Sequence, residues 1–471
     1  MEEVSAKKKL IGYLPNDRPP IGQMILLGFQ HVLTMFPATV LVALLVGFHI
    51  NTVLLASGVA TIVALLLSRW RIGKFIPLYY GSSFSYIAAT LAITNASYGQ
   101  PVSDELIGVA QAGIVVTGAI NILIGVIIRF AGGKETIDKI LPPVITGSVA
   151  AVIGFSLGKA ALDMAAGTCC LTDATGAAVA DIKWWIAAIV TLVATILFSV
   201  YLQGRGFWGM IPILLGAIVG YLVAIPLDLV DFGVIGSADF IQAPHLTLPV
   251  FNDEMSATAI ISIAVMAIAT IPESTAHLYQ ISLYVDKLAK RMGKKEYELD
   301  KHVGFNLVLD GIGDAINGLL GGVAGTNYGE NNSLMAITRN YSGPALIAAG
   351  VIAILLSFSG TLAGIVQSVP TAVSGGLAIY LFGVIGLQGV ALMMERKVNL
   401  FDPRQLAVGA TILVIGIGGH IGFPDGFLPI PLLEGIFPNG WPAIATGAVA
   451  GILLNLVFLI IKPPQPASTD A

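Results

Sequence analysis

Five ionisable side chains stand where the chain is otherwise apolar: Glu273, His277, Asp310, Asp314 and Glu330. An ionisable group at membrane depth is expensive to keep, so each marks a candidate functional position. His277 follows Glu273 by four residues, one helical turn along the same face. A carboxyl group desolvated beside a histidine can take up and release a proton near neutral pH. The same spacing suits a metal, but no cysteine or third ligand accompanies it, so no metal is expected. Glu273 and Glu330 lack a neighbouring Lys or Arg, which favours a ligand presenting N–H donors, or a cation. Asp310 and Asp314 fit either buried structural hydrogen bonds or oxygen ligands for Na+.

Two polar segments interrupt apolar stretches: Tyr79-Tyr80-Gly81-Ser82-Ser83-Phe84 and Gly325-Thr326-Asn327-Tyr328-Gly329-Glu330-Asn331-Asn332. Irregular backbone is tolerated at membrane depth only where protein or an aqueous cavity covers it. Corresponding interruptions in two halves of a chain point to a binding site between them. The helices that follow aim their free N-terminal N–H groups at that centre. A planar lactam, with N–H donors and C=O acceptors in one plane, matches such a site. The carboxylates accept its N–H bonds and the backbones of Phe84 and Gly329 donate to its carbonyls. Phe84, Tyr328 and Phe382 supply flat apolar faces. The residues themselves leave open a small polar solute with N–H groups, or a cation.

The elements that hold these residues follow from composition. Of 471 residues, 56% are hydrophobic and 11% charged, with mean hydropathy +0.86. A soluble chain carries about 25% charged residues, so there is too little polar material here to coat soluble domains. Soluble enzymes and nucleic-acid binders are excluded, and the lipid bilayer is the expected partner. Cys169 and Cys170 are adjacent and cannot build a disulfide framework. The polar start up to Pro20 has no signal-peptide core, so the first span is expected to direct targeting.

Apolar runs of about 20 residues occur near 21–46, 50–68, 79–95, 105–130, 143–165, 183–203 and 208–226. A second set lies near 256–283, 302–321, 327–340, 344–363, 371–394, 404–421 and 439–461. With these fourteen spans, every Lys and Arg except Lys159 and Lys183 falls on one side. That side is the cytoplasm, with both termini on it. Seven is odd, so the two sets enter the membrane from opposite sides as inverted repeats. The expected organisation is an all-α polytopic membrane protein. Residues 1–20 form a cytoplasmic segment, 21–226 the first repeat and 227–255 an extracellular acidic connector. Residues 256–461 form the second repeat and 462–471 a cytoplasmic tail. Short extended segments are expected in spans 3 and 10, where Tyr80-Gly81 and Tyr328-Gly329 echo each other.

The same residues resemble the nucleobase–ascorbate transporter family, nucleobase:cation symporter 2, over nearly the whole chain. The family signature opens with Gln, Glu or Pro followed by Asn, has Gly in fourth place and closes on Thr and a basic residue or Gly. Here it runs Glu330-Asn331-Asn332-Ser333-Leu334-Met335-Ala336-Ile337-Thr338-Arg339, with Ser333 in place of the Gly. Gln30-His31, Gly81-Ser82-Ser83-Phe84 and Glu273-x-x-x-His277 are similar to further family blocks. Glu at the first signature position resembles the bacterial members that carry uracil, whereas Gln is usual in xanthine and urate carriers.

The resemblance implies a transporter of the plasma (inner) membrane and not an enzyme, with no cofactor. Its coupling ion would be H+, with Na+ as the alternative, and it would function as a homodimer with core and gate domains. Spans 1–4 and 8–11 would form the core. Glu273 and Glu330 would accept the uracil N–H groups, and the backbones of Phe84 and Gly329 would contact its carbonyls. Ala38, Ser83, Tyr328 and Phe382 would line the site, and Glu273 with His277 would couple the proton. Uracil carriers often have Tyr where this chain has Phe382, and Pro272 before Glu273 is expected to kink span 8. A purine permease and an anion transporter of the same fold are the competing expectations.

Overall fold

The computed structural model describes residues 12–461 apart from 204, 206–207, 210, 252–253 and 433–439. The N-terminal lysines 7–9, Asp253, Lys462 and the tail 462–471 lie outside the described residues. The chain is mostly helical, with two short two-stranded sheets.

The first half contains α1 (Ile21–Val46), α2 (Ile50–Ile72), β1 (Tyr80–Ser82), α3 (Ile87–Thr94), α4 (Asp104–Phe130) and α5 (Lys134–Ile140). It continues with α6 (Pro143–Ser156), α7 (Gly158–Ala166), α8 (Ile182–Tyr201), α9 (Pro212–Ala224) and, in the connector, α10 (Gly233–Gly236). The second half contains α11 (Glu254–Ala264), α12 (Ala267–Arg291), α13 (Val303–Leu320), β2 (Gly325–Asn327), α14 (Gly329–Thr338), α15 (Gly343–Leu356) and α16 (Gly360–Gln367). It closes with α17 (Thr371–Glu395), α18 (Pro403–Leu413), α19 (Gly419–Gly422), the β3–β4 pair (Phe427–Leu428 and Trp441–Pro442) and α20 (Ala443–Ile460).

Among the described residues, ten helices are long and apolar enough to cross a membrane. The apolar pair α15 and α16 is bent by 85°, as in a broken span or a re-entrant loop, and brings the count up to eleven if it is one span. The other expected runs, in the regions of α3, α9 and α14, are helices too short to span a bilayer alone. The chain is a multi-pass membrane protein. Adjacent Cys169 and Cys170 are joined to each other in the loop between α7 and α8.

The helices pack as two groups. In the first, α4 lies against α13 and α11, α15 against α1 and α2, and α13 also against α2. In the second, α17 lies against α6, α7 and α8, α8 against α9, and α18 against α6 and α20. Glycine lets the backbones touch, as expected where no hydrophobic force drives helices together. A Cβ on Gly118 of α4 would lie 2.5 Å from the Gly311 carbonyl of α13, and one on Gly311 would lie 2.4 Å from the Gly118 carbonyl. Gly154 of α6 and Gly386 of α17 approach as closely in the second group.

The bend expected at Pro272 lies one turn earlier. Pro272 has no N–H to give the Ile268 carbonyl, and its ring crowds that turn. The chain breaks between α11 and α12, where Ile268 and Ala269 donate three residues back, to Val265 and Met266, at 3.1 and 2.9 Å.

Candidate functional site

The two polar interruptions meet. β1 and β2 pair antiparallel with Tyr80 opposite Asn327, Gly81 opposite Thr326 and Ser82 opposite Gly325. The ladder extends at both ends: Ser83 N–H donates to the Ala324 carbonyl and Tyr328 N–H to the Tyr79 carbonyl, each at 2.9 Å. Two short strands alone are marginal, so side chains of the first helix group brace them. Ser57 donates to the Tyr80 carbonyl at 2.6 Å and Asp314 accepts the Gly325 N–H at 2.8 Å. Each strand feeds a short helix. A single 3-10 turn, Phe84–Tyr86, leads into α3, and α14 begins at Gly329. Both half-helices thus start beside the strand pair and present N-terminal N–H groups there.

Glu273 and His277 lie on one face of α12, and both line a cavity of about 110 Å³. The Ser85 hydroxyl donates to Glu273 Oε2 at 3.2 Å. Glu330, in the first turn of α14, lines a second cavity of about 390 Å³ with Ser333 and Tyr380. Its Oε1 is buried and has no hydrogen-bond partner among the described residues. Gln388, on α17 of the second helix group, lines both cavities. It carries no charge and sits in a plain apolar run, so nothing in the sequence singles it out. No Lys or Arg lines either cavity among the described residues.

Phe84 and Phe382 are buried edge to face with ring centroids 5.2 Å apart, a contact between the two helix groups. A Cβ on Gly329 would lie 2.8 Å from Gln388 Oε1 and 3.1 Å from His277 Nε2. The bare backbone of Gly329 is therefore what lets these polar groups converge.

Phe84, Gly329, Phe382, Tyr328, Ser83 and Ala38 lie outside the linings of both cavities, and the last three make other contacts. Tyr328 stacks near Tyr79, and its hydroxyl pairs with Thr39 of α1 at 2.8 Å. A Cβ on Gly81 would collide with the Tyr328 ring, so Tyr328 braces the strand pair. The Ser83 hydroxyl accepts the Ser85 N–H at 3.3 Å as an N-cap. Ala38 is buried on α1, next to Thr39 and outside the lining of both cavities.

The signature residues position α14. Asn331 donates to Nδ1 and to the carbonyl of His31 on α1, at 3.0 and 3.2 Å. Asn332 donates to the His277 carbonyl at 3.2 Å. Ser333 faces a cavity rather than a helix, so the missing signature Gly costs no close packing. Asp310 accepts from Ser274, which in turn accepts from Asn306 and Asn327 at 2.8 Å each. Asp314 also accepts from Asn121, at 3.0 Å. One oxygen of Asp310 and both oxygens of Asp314 accept hydrogen bonds that hold α12, α13, α4 and β2 together, while Asp310 Oδ1 is buried without a partner among the described residues.

Residues 22–424 match a permease family, Xan_ur_permease. The chain is 35% identical over 457 residues to a uracil permease of Bacillus caldolyticus, covering 96% of this chain and 95% of that one. It is 36% identical over 456 residues to a uracil permease of Escherichia coli K12, with the same coverage. Among solved structures, the transmembrane domain of the cyanobacterial bicarbonate transporter BicA is similar in fold, with TM-score 0.55 and 16% identity, over 94% of this chain and 99% of that one.

Proposed function

The chain belongs to this permease family, the nucleobase–ascorbate transporters, and from that premise we propose that it imports uracil together with a proton by alternating access. It is a transporter and not an enzyme. The observation that carries the reading is the pair of carboxyl groups, Glu273 and Glu330, beside two convergent half-helix N-termini. Their oxygens accept the two N–H groups of uracil, while N–H groups of Phe84 and Gly329 donate to its carbonyls. Phe84 and Phe382, packed edge to face on each other, supply an apolar wall beside the ring. The carboxyl groups of Glu273, Glu395 and Glu330 line these cavities and no Lys or Arg does, which argues against the ligand class of the BicA relative.

Packing supports fourteen spans in two inverted repeats, 21–226 and 256–461, because pairings recur seven spans on. The α2–α15 contact has its counterpart in α4–α13, α8–α9 in α18–α20, and α8–α17 in α18–α6. The α6–α17 and β1–β2 pairs map onto themselves. The first helix group is then the core and the second the gate, with Gln388 and Phe382 as the gate's contribution to the site. The cavity at Glu273 continues to Tyr284 and Glu395, beside the lysine-rich loop after α12. By the distribution of basic residues that end is cytoplasmic, so this state opens inward, both termini are cytoplasmic, and a homodimer is the expected assembly.

Thermal stabilisation of the purified protein by a panel of nucleobases tests the substrate. A ligand held at about 100 times its Kd adds roughly 2.7 kcal/mol to the folded state. Uracil is expected to raise the melting temperature at concentrations where xanthine and adenine do not. A larger rise with xanthine would transfer the assignment to a purine carrier. In the same assay Gly329→Ala is expected to weaken uracil binding about tenfold or more. Its methyl group must push Gln388 or His277 aside, an overpacking cost of about 1–3 kcal/mol. Unchanged uracil affinity in Gly329→Ala would remove Gly329 from the site.

A further inference from the structure

Three groups outside the carboxylate site converge where the connector between the two halves crosses the ends of α2 and α4. His49 precedes α2, Asp104 opens α4 and His245 lies on the connector. His245 Nε2 lies 2.9 Å from each carboxylate oxygen of Asp104, and His49 Nε2 lies 4.0 Å from Asp104 Oδ1. The two imidazole rings stand 4.5 Å apart, tilted by 50°. One potential ligand atom from each residue lies within 4.8 Å of the other two.

We propose that His49, Asp104 and His245 form a binding site for a divalent transition-metal cation of the Zn2+ class, which fastens the connector to the outer ends of α2 and α4. Two imidazoles and one carboxylate suit Zn2+ and its neighbours, whereas Mg2+ and Ca2+ take oxygen ligands almost exclusively. Bonds of about 2.0–2.2 Å place tetrahedral ligands roughly 3.4 Å apart. The observed separations bracket that value, so small side-chain rotations close the shell. Asp104 and His245 are exposed and His49 is half-buried, which leaves the fourth position to water.

The site is built on fixed backbone. The Val102 N–H donates to the Gly47 carbonyl at 2.9 Å, tying the segments before Asp104 and His49 together. Thr52 donates to the His245 carbonyl at 2.6 Å, and Gln111 to the Thr247 carbonyl at 2.9 Å. Upstream, the Gln242 N–H donates to the Phe358 carbonyl at 2.9 Å, and α10 packs against α16. A cation at His245 therefore anchors a segment whose other end touches the bent α15–α16 pair. The acids Asp228, Asp231 and Asp239 of the same connector, which has no Lys or Arg, draw cations to this face.

The test uses the purified full-length protein without an affinity tag, titrated with ZnCl2 and followed by thermal unfolding and calorimetry. The wild type is expected to bind one equivalent and to melt at a higher temperature, while MgCl2 leaves the melting temperature unchanged. His245→Ala, His49→Ala and Asp104→Asn are expected to weaken Zn2+ binding about tenfold or more, with metal-free melting temperatures close to the wild type. His420→Ala, a histidine outside the cluster, is expected to retain full Zn2+ binding. Absence of a Zn2+ effect in the wild type, an equal effect of MgCl2, or undiminished Zn2+ binding in the histidine variants would each overturn the site.

Discussion

Glu273→Gln is expected to abolish proton-driven accumulation of uracil in proteoliposomes while the protein remains folded. Gln keeps the volume of Glu and an oxygen that accepts the Ser85 hydroxyl, so the contact between α12 and the turn that leads into α3 survives. What disappears is the ability to carry a proton. With one proton per uracil, an imposed gradient of one pH unit, about 1.4 kcal/mol, sustains roughly tenfold accumulation. The variant should do no more than equilibrate uracil across the membrane, with the internal concentration levelling at the external one. Affinity should fall as well. The new amide turns an N–H donor toward the ligand's own N–H, losing a hydrogen bond worth about 0.5–1.5 kcal/mol. Retention of the full tenfold accumulation by Glu273→Gln would exclude Glu273 as the proton carrier. His277→Gln provides a comparison. If His277 acts only by orienting water, that variant should slow uptake yet still accumulate uracil against the gradient.

Much of this arrangement was legible in the sequence because a membrane penalises charge. Glu273 and Glu330 stand out only against apolar runs, and the same contrast exposes the span boundaries. The pairing of β1 with β2 was foreshadowed by two Tyr-Gly steps, each at an interruption that lipid would not tolerate. What escaped had no such contrast. Gln388 is an uncharged amide among Leu, Val and Gly, and only the approach of α17 to Gly329 reveals that it faces both cavities. The direction of the Tyr328 ring depends on a hydroxyl on α1, almost three hundred residues away, which no local pattern in the sequence records. His49, Asp104 and His245 follow no motif spacing, since tertiary packing of the connector alone brings them together. Span counting also reached a limit. Hydropathy reads the runs around α3, α9 and α14 as crossings, while the helices there have 8, 13 and 10 residues.

The two readings of Asp314 are separated by its hydrogen bonds. Asp314→Ala strips acceptors from the part-buried Gly325 N–H and the buried Asn121 amide, at about 1–3 kcal/mol each. Because the Gly325 bond fixes the end of β2, the loss extends to the strand pair and to the start of α14. A fall of several degrees in melting temperature is expected, with uracil transport largely lost. Asp314→Asn should behave differently. Its oxygen still accepts the Gly325 N–H, and its new amide nitrogen needs only an acceptor. Asn121 supplies one, because its Oδ1 is buried without a partner and a flip of its amide turns that oxygen toward position 314. The expected result is near wild-type melting for Asp314→Asn, with uptake equally fast in Na+ and in K+ buffers. Were Asp314 instead a Na+ ligand, the Asn variant would lose a formal charge from the ion's shell. It would then fail as badly as the Ala variant, and wild-type uptake would require Na+. The comparison of Ala with Asn therefore decides between an acceptor that holds a strand and a charge that holds an ion.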